Sequence, residues 1–227
     1  MSKLIIANWK SQKLVNQVEP WIAAVGAPPA GVDLVVLPPL TLLSAVKAGL
    51  PAGVALGAQN VSPFPLGAYT GEVAADQLAD LGVSYCLVGH SERRQYFGET
   101  SQQVADKCAL LKAAHITPIV CVDEPYLASQ LEVLRATGIT ELVLAYEPLA
   151  AIGTGQSASL EQVRQVRDQA KKYTDMPFIY GGSVTDESVA EYMLICDGAL
   201  VGSASLDGAQ FARLLAVAAG NEASFSS

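Results

Sequence analysis

The feature that most constrains this chain is an alternation. Short apolar runs recur at residues 4–8, 33–37, 55–59, 85–88, 118–122, 142–146, 178–180 and 199–201. Each has the length and composition of a buried strand. Helix-like segments separate most of them, at 17–25, 40–48, 71–81, 100–114, 127–135, 159–173, 186–194 and 207–218. The segment 100–114 opens on Thr100-Ser101, good capping types, and sets Val104, Cys108 and Leu111 on one helical face. Strands that alternate with helices pair in parallel through right-handed crossovers. Eight such units close most simply into an α/β fold of the (β/α)8 barrel type, expected as one domain over residues 1–227. A doubly wound open sheet is the second architecture. No Pro/Gly/Ser-rich linker divides the chain.

Composition narrows the function. Apolar residues make up 51% of the 227 and charged residues 16%, which suits a sheet buried on both faces. The net charge is −8 and there is no basic block, so nucleic acid is excluded as an expected partner. An anionic ligand would need local positive charge from a few side chains or helix ends. No apolar run reaches membrane-spanning length, and the Met1-Ser2-Lys3-Leu4 start has no secretory apolar stretch. Cys86, Cys108, Cys121 and Cys196 form no CxxC pair, so buried free thiols and a cytoplasmic location are expected. No metal-spaced ligand cluster occurs, and no dinucleotide fingerprint follows the first strand. The expected cofactor set is empty.

In a barrel of this kind the chemistry gathers at the C-terminal ends of the strands. Those ends carry Asn8-Trp9-Lys10, Pro38-Pro39, Gln59-Asn60, Gly89-His90-Ser91-Glu92-Arg93, Asp123-Glu124, Glu147, Gly181-Gly182-Ser183 and Gly202-Ser203. They are polar and glycine-rich where the strands before them are apolar. A carboxylate such as Glu147 at the end of a buried strand is costly unless it has a task. It is followed by Pro148, then Gly153 and Gly155, the composition of a hinged lid. An acid at a solvated turn beside an ordinary loop is the plain alternative.

Six motifs carry a resemblance. They are Asn8-Trp9-Lys10, Gly67-Ala68-Tyr69-Thr70-Gly71-Glu72, Val88-Gly89-His90-Ser91-Glu92-Arg93-Arg94, Ala145-Tyr146-Glu147-Pro148, Ala151-Ile152-Gly153-Thr154-Gly155 and Tyr180-Gly181-Gly182-Ser183-Val184. In their order and identity the chain resembles the triosephosphate isomerase family. The resemblance implies a TIM barrel, no cofactor, and interconversion of dihydroxyacetone phosphate and D-glyceraldehyde 3-phosphate through an enediolate. It implies Glu147 as the base and His90 as the electrophile on the carbonyl. Neutral imidazole would be favoured by a helix starting at Ser91 or Glu92. Lys10 and Asn8 would form the polar floor, with Glu92 near Lys10 as partner or proton shuttle. Gly153, Ser183, Gly202 and Ser203 would grip the phosphate through backbone N–H groups. The stretch from Gln59 to Glu72 would protrude into a second copy, with Thr70 near the partner's site, giving at least a homodimer. Arg93 reads as a brace, and His115 as structural or exposed.

Three positions depart from the family pattern. Ala150 stands where a Trp is usual in the lid, Ser203 replaces the second of two glycines, and Cys-x-Gly-Glu reads Cys121-Val122-Asp123-Glu124. The connection from Glu124 to Leu142 has room for one helix only. Two rival readings are another phosphosugar isomerase or epimerase on the same barrel, and a barrel that binds phosphate ligands without turnover.

Overall fold

The computed structural model describes residues 2–148, 157–173 and 175–220. Eight strands form the ring: β1 (Lys3–Asn8), β2 (Val32–Leu37), β3 (Ala55–Ala58), β4 (Tyr85–Val88), β5 (Thr117–Val122), β6 (Val143–Tyr146), β7 (Phe178–Tyr180) and β8 (Gly198–Val201). They pair in sequence order and in parallel, and β8 returns to β1 to close the barrel. The closed ring, not the open sheet, is the architecture. At the closure Leu4–Ala7 run beside Gly198–Val201 in register. Gly198 is required there: a Cβ would strike the Leu4 carbonyl.

The alternation of side chains sorts the core into two layers. Ile6, Leu37, Leu87, Ile119, Ala145 and Leu200 fill the barrel interior. Ile5, Ala7, Val36, Val88, Val120 and Tyr146 face the helices instead. Since both faces are buried, the strands read as apolar runs without polar alternation.

The helices are α1 (Val18–Val25), α2 (Leu43–Gly49), α3 (Ala75–Asp80), α4 (Ser91–Phe97), α5 (Ser101–Ala113), α6 (Glu124–Ala136), α7 (Leu160–Lys171), α8 (Val189–Met193) and α9 (Gly208–Ala218). Several are shorter than their sequence pattern, for local reasons. Behind Pro39, residues Leu40–Leu42 form a 3-10 turn before α2 begins. Gly71 at φ +92 keeps the chain out of helix until Ala75. In contrast, α6 starts three residues earlier than its pattern, because the Asp123 side chain accepts from the Tyr126 N–H and Pro125 suits a first turn. α6 is the one helix between β5 and β6, as the short connection required.

Aromatic packing fixes the N-terminal and C-terminal helices on β1. Trp9 meets Trp21 edge-on at 4.7 Å, and Trp21 stacks on Phe211 at 5.7 Å. The Trp21 indole N–H donates to the Ser205 carbonyl at 2.7 Å. Each buried aromatic here contributes about 1.5–3 kcal/mol.

Candidate active site

A cavity of about 260 Å³ opens at the C-terminal mouth of the barrel. Asn8, Lys10, His90 and Glu147 line it, and Gly181, Gly182, Ser183, Leu200, Gly202 and Ser203 form part of its wall. These residues leave β1, β4, β6, β7 and β8, so strands far apart in sequence converge on one space.

Glu147 follows β6 directly and is 3% exposed. One carboxylate oxygen accepts from the Ser91 N–H at 3.2 Å, and the other lies 3.0 Å from His90 Nε2. Gly181 makes room for it, since a Cβ there would approach Glu147 Cγ to 2.9 Å. Burial alone would raise the Glu147 pKa, yet His90, the Ser91 N–H and the Cys121 thiol together hold it below the ordinary value. The same carboxylate joins burial in pushing the Cys121 thiol well above its ordinary range.

His90 is the N-cap of α4. Gly89 launches it at φ +69, a left-handed turn that favours glycine. Its Nδ1 accepts from the Glu92 N–H at 3.2 Å, which places the ring proton on Nε2, facing Glu147. Burial disfavours the imidazolium, but the Glu147 carboxylate outweighs it and raises the His90 pKa in this arrangement. That rise depends on where Glu147 sits. With the carboxylate turned away toward a ligand, burial, the Lys10 ammonium and the N-terminus of α4 favour the neutral ring, and Glu92 alone opposes them.

Lys10 sits just past β1 with φ +48, an unusual value for a side-chain-bearing residue. The turn is held by neighbours. Asn8 Oδ1 accepts the Lys10 N–H at 3.0 Å, and Gln59 donates to the Lys10 carbonyl at 2.9 Å and to the Leu37 carbonyl at 2.8 Å. Strain that survives at a cavity wall is held there by surrounding contacts. The Lys10 ammonium lies 2.6 Å from Glu92 Oε1. Among the described residues that line the cavity it is the one Lys or Arg, in a chain of net charge −8.

Ser183, Gly202 and Ser203 line the side of the cavity formed after β7 and β8. Gly153, with the rest of the expected lid and Ala150, lies outside the described residues. Asp123 and Glu124 do not reach the cavity. Asp123 caps α6, and Glu124 accepts from the Tyr146 hydroxyl at 2.5 Å and from Gln162 at 2.6 Å. Arg93 braces Glu99 at 3.2 Å, and His115 is the exposed residue at φ +57 that stops α5. The roles of Gln59, Gly181 and Arg94 were not read from the sequence. Only their places after strand ends, or in the His90 segment, hinted at them.

Among the described residues no group of three or more His, Cys, Asp or Glu is placed to hold a metal ion. The arrangement offers a carboxylate, an imidazole with a donor N–H and an ammonium to one small ligand.

A closed (β/α)8 barrel with such groups at its C-terminal mouth defines the class, a barrel enzyme that moves protons on small substrates. A family model described as "Triosephosphate isomerase" matches residues 3–218. The chain is 41% identical to a triosephosphate isomerase of Stenotrophomonas maltophilia, covering 96% of this chain and 99% of the relative. It is 43% identical to one of Paracidovorax citrulli, over 96% and 98%. It is 38% identical to one of Thermus thermophilus, over 95% and 98%. The chain belongs to the triosephosphate isomerase family.

Proposed function

We propose that this chain interconverts dihydroxyacetone phosphate and D-glyceraldehyde 3-phosphate by proton transfer through an enediolate. The observation that carries the reading is that Glu147, His90 and Lys10 line one cavity. Moving hydrogen between adjacent carbons requires one base, one electrophile and fixed charge for the oxyanion. Glu147 takes the proton beside the carbonyl and returns it to the neighbouring carbon. To do so it leaves the Ser91 N–H and turns into the cavity. His90 donates its Nε2–H to the carbonyl oxygen as a neutral ring. Its proton affinity then matches the enediolate better than an imidazolium's would. Lys10 and Asn8 hold the oxygen side, with Glu92 keeping the ammonium in place. Ser183, Gly202 and Ser203, with Gly153, take the phosphate.

The test is turnover of glyceraldehyde 3-phosphate in a coupled assay. Glu147→Asp retracts the carboxylate by about 1 Å and should lower the rate on the order of 10²-fold. Near-normal turnover in that variant would remove Glu147 from the role.

The chain is proposed to act as a homodimer through residues 59–72, in the cytoplasm. Phe64, Leu66 and Tyr69 are exposed on that stretch, and Phe64 stacks on Tyr69 at 4.5 Å. Phe97, 70% exposed, shares a cleft with Phe64. The four cysteines are free and buried, which fits a reducing compartment. Cell fractionation tests the location.

A further inference from the structure

Arg94 stands behind the cavity, outside its lining. Its Nε donates to the Gly89 carbonyl at 2.9 Å. Its Nη2 donates to Gln130 Oε1 at 2.8 Å and reaches the Cys121 carbonyl at 3.4 Å. The guanidinium lies over the Tyr126 ring, 4.5 Å from its centre. Among the described residues no carboxylate is within ion-pair distance of it. All its hydrogen bonds go to neutral acceptors, and Asp123 feels its charge without pairing with it; a partly buried cation held this way is an expensive way to fill space. An apolar side chain would fill it at lower cost, so the fork must hold something.

What it holds is the peptide that launches His90. Gly89 is in a left-handed turn, and a Cβ there would come within 2.8 Å of Arg94 Nη2. The missing side chain therefore opens the path by which the guanidinium reaches the Gly89 carbonyl. On its far side Gln130, fully buried, donates to the Ser101 carbonyl at 3.2 Å. The fork thus ties the end of β4 to β5, to α6 and, through Gln130, to the start of α5. We propose that Arg94 is a positioning residue: it fixes the Gly89 peptide from behind so that the His90 Nε2–H points into the cavity. A lysine keeps the charge but cannot span three acceptors in one plane.

The inference rests on His90 acting as the electrophile. Arg94→Leu and Arg94→Lys should both lower kcat by about 10- to 100-fold with KM within about 2-fold, because a shift near 1 Å is felt in the transition state. The His90 ring nitrogen signals, separated from those of His115 by nitrogen NMR, should move in both. Gln130→Leu removes one acceptor, leaves Arg94 in place, and should lower kcat in the same direction by about 3- to 10-fold. This milder change decides the matter if the Arg94 variants do not fold. Unchanged kcat in Gln130→Leu, or His90 signals that stay put while kcat falls, overturns the inference. If Glu147→Asp is crippled while these variants turn over normally, only this inference falls. If Glu147→Asp is also normal, the proposed function falls with it.

Discussion

His90 Nε2 lies 3.0 Å from Glu147 Oε1, and each group changes the proton affinity of the other. Despite burial, Glu147 is held below its ordinary value of 4.5 and His90 above its ordinary 6.5. The signs give a window. A depressed carboxylate contributes stability above its unfolded value, and loses it as pH falls through the folded one. A raised imidazolium contributes fully below its unfolded value, and fades as pH rises through the folded one. The pair's contribution is therefore greatest between about pH 4.5 and 6.5. The stability gap between the wild type and Glu147→Gln, followed by urea unfolding, should peak there. A gap that is flat from pH 4 to 8 would mean that the contact is not an ionic one. In the same variant the His90 pKa should fall from its raised value, since Glu92 alone is then left to oppose burial. The places of both residues at the barrel mouth were legible in the sequence, because each follows an apolar strand. Their mutual contact was not legible, because it depends on how β4 and β6 are rotated within the ring.

The elements were legible where one face is apolar and a cap is present. Thr100 capping α5 is such a case: its hydroxyl accepts from the Gln103 N–H at 3.2 Å, and Gln103 reaches back to the Thr100 N–H at 2.9 Å. Thr100→Ala should cost about 1 kcal/mol in chemical unfolding and leave kcat unaltered. A lowered kcat would mean that α5 carries strain to the site. The division between α4 and α5 was harder to read. Gly98 at φ +64 ends α4 after a short run whose polar face, Glu92 to Gln95, shows little amphipathic pattern. The same holds at 59–72, where no periodicity exists to read. A buried cluster anchors the root of that stretch: Lys107 contacts Glu99, and its ammonium also meets Asn60 at 2.8 Å. Removing one side of a buried pair typically costs about 3–5 kcal/mol, so Glu99→Gln should unfold well before the wild type in a thermal melt. An unshifted melt would show that the pair is hydrated in solution.

Across the whole molecule, exposed apolar side chains gather near 59–72 and at the end of α4. If this face joins two copies, Tyr69→Glu should shift the mass measured by light scattering from dimer to monomer and lower turnover with it. A wild type that is monomeric at micromolar concentration would remove the dimer reading. Because β1 brings Lys10 and β8 brings Gly202, while β4 and β6 bring His90 and Glu147, no stretch of this polypeptide shorter than nearly its full described length lines the cavity. Ring closure happens where Gly198 lies against Leu4, and backbone meeting backbone cannot be relieved by a rotamer change. Gly198→Ala should therefore abolish soluble expression and turnover together, and a well-folded but inactive variant would contradict this. Turnover regained during refolding should then lag behind helix formation and coincide with the two ends of the chain finding each other. The enzyme would become an enzyme only at the final step of its own assembly.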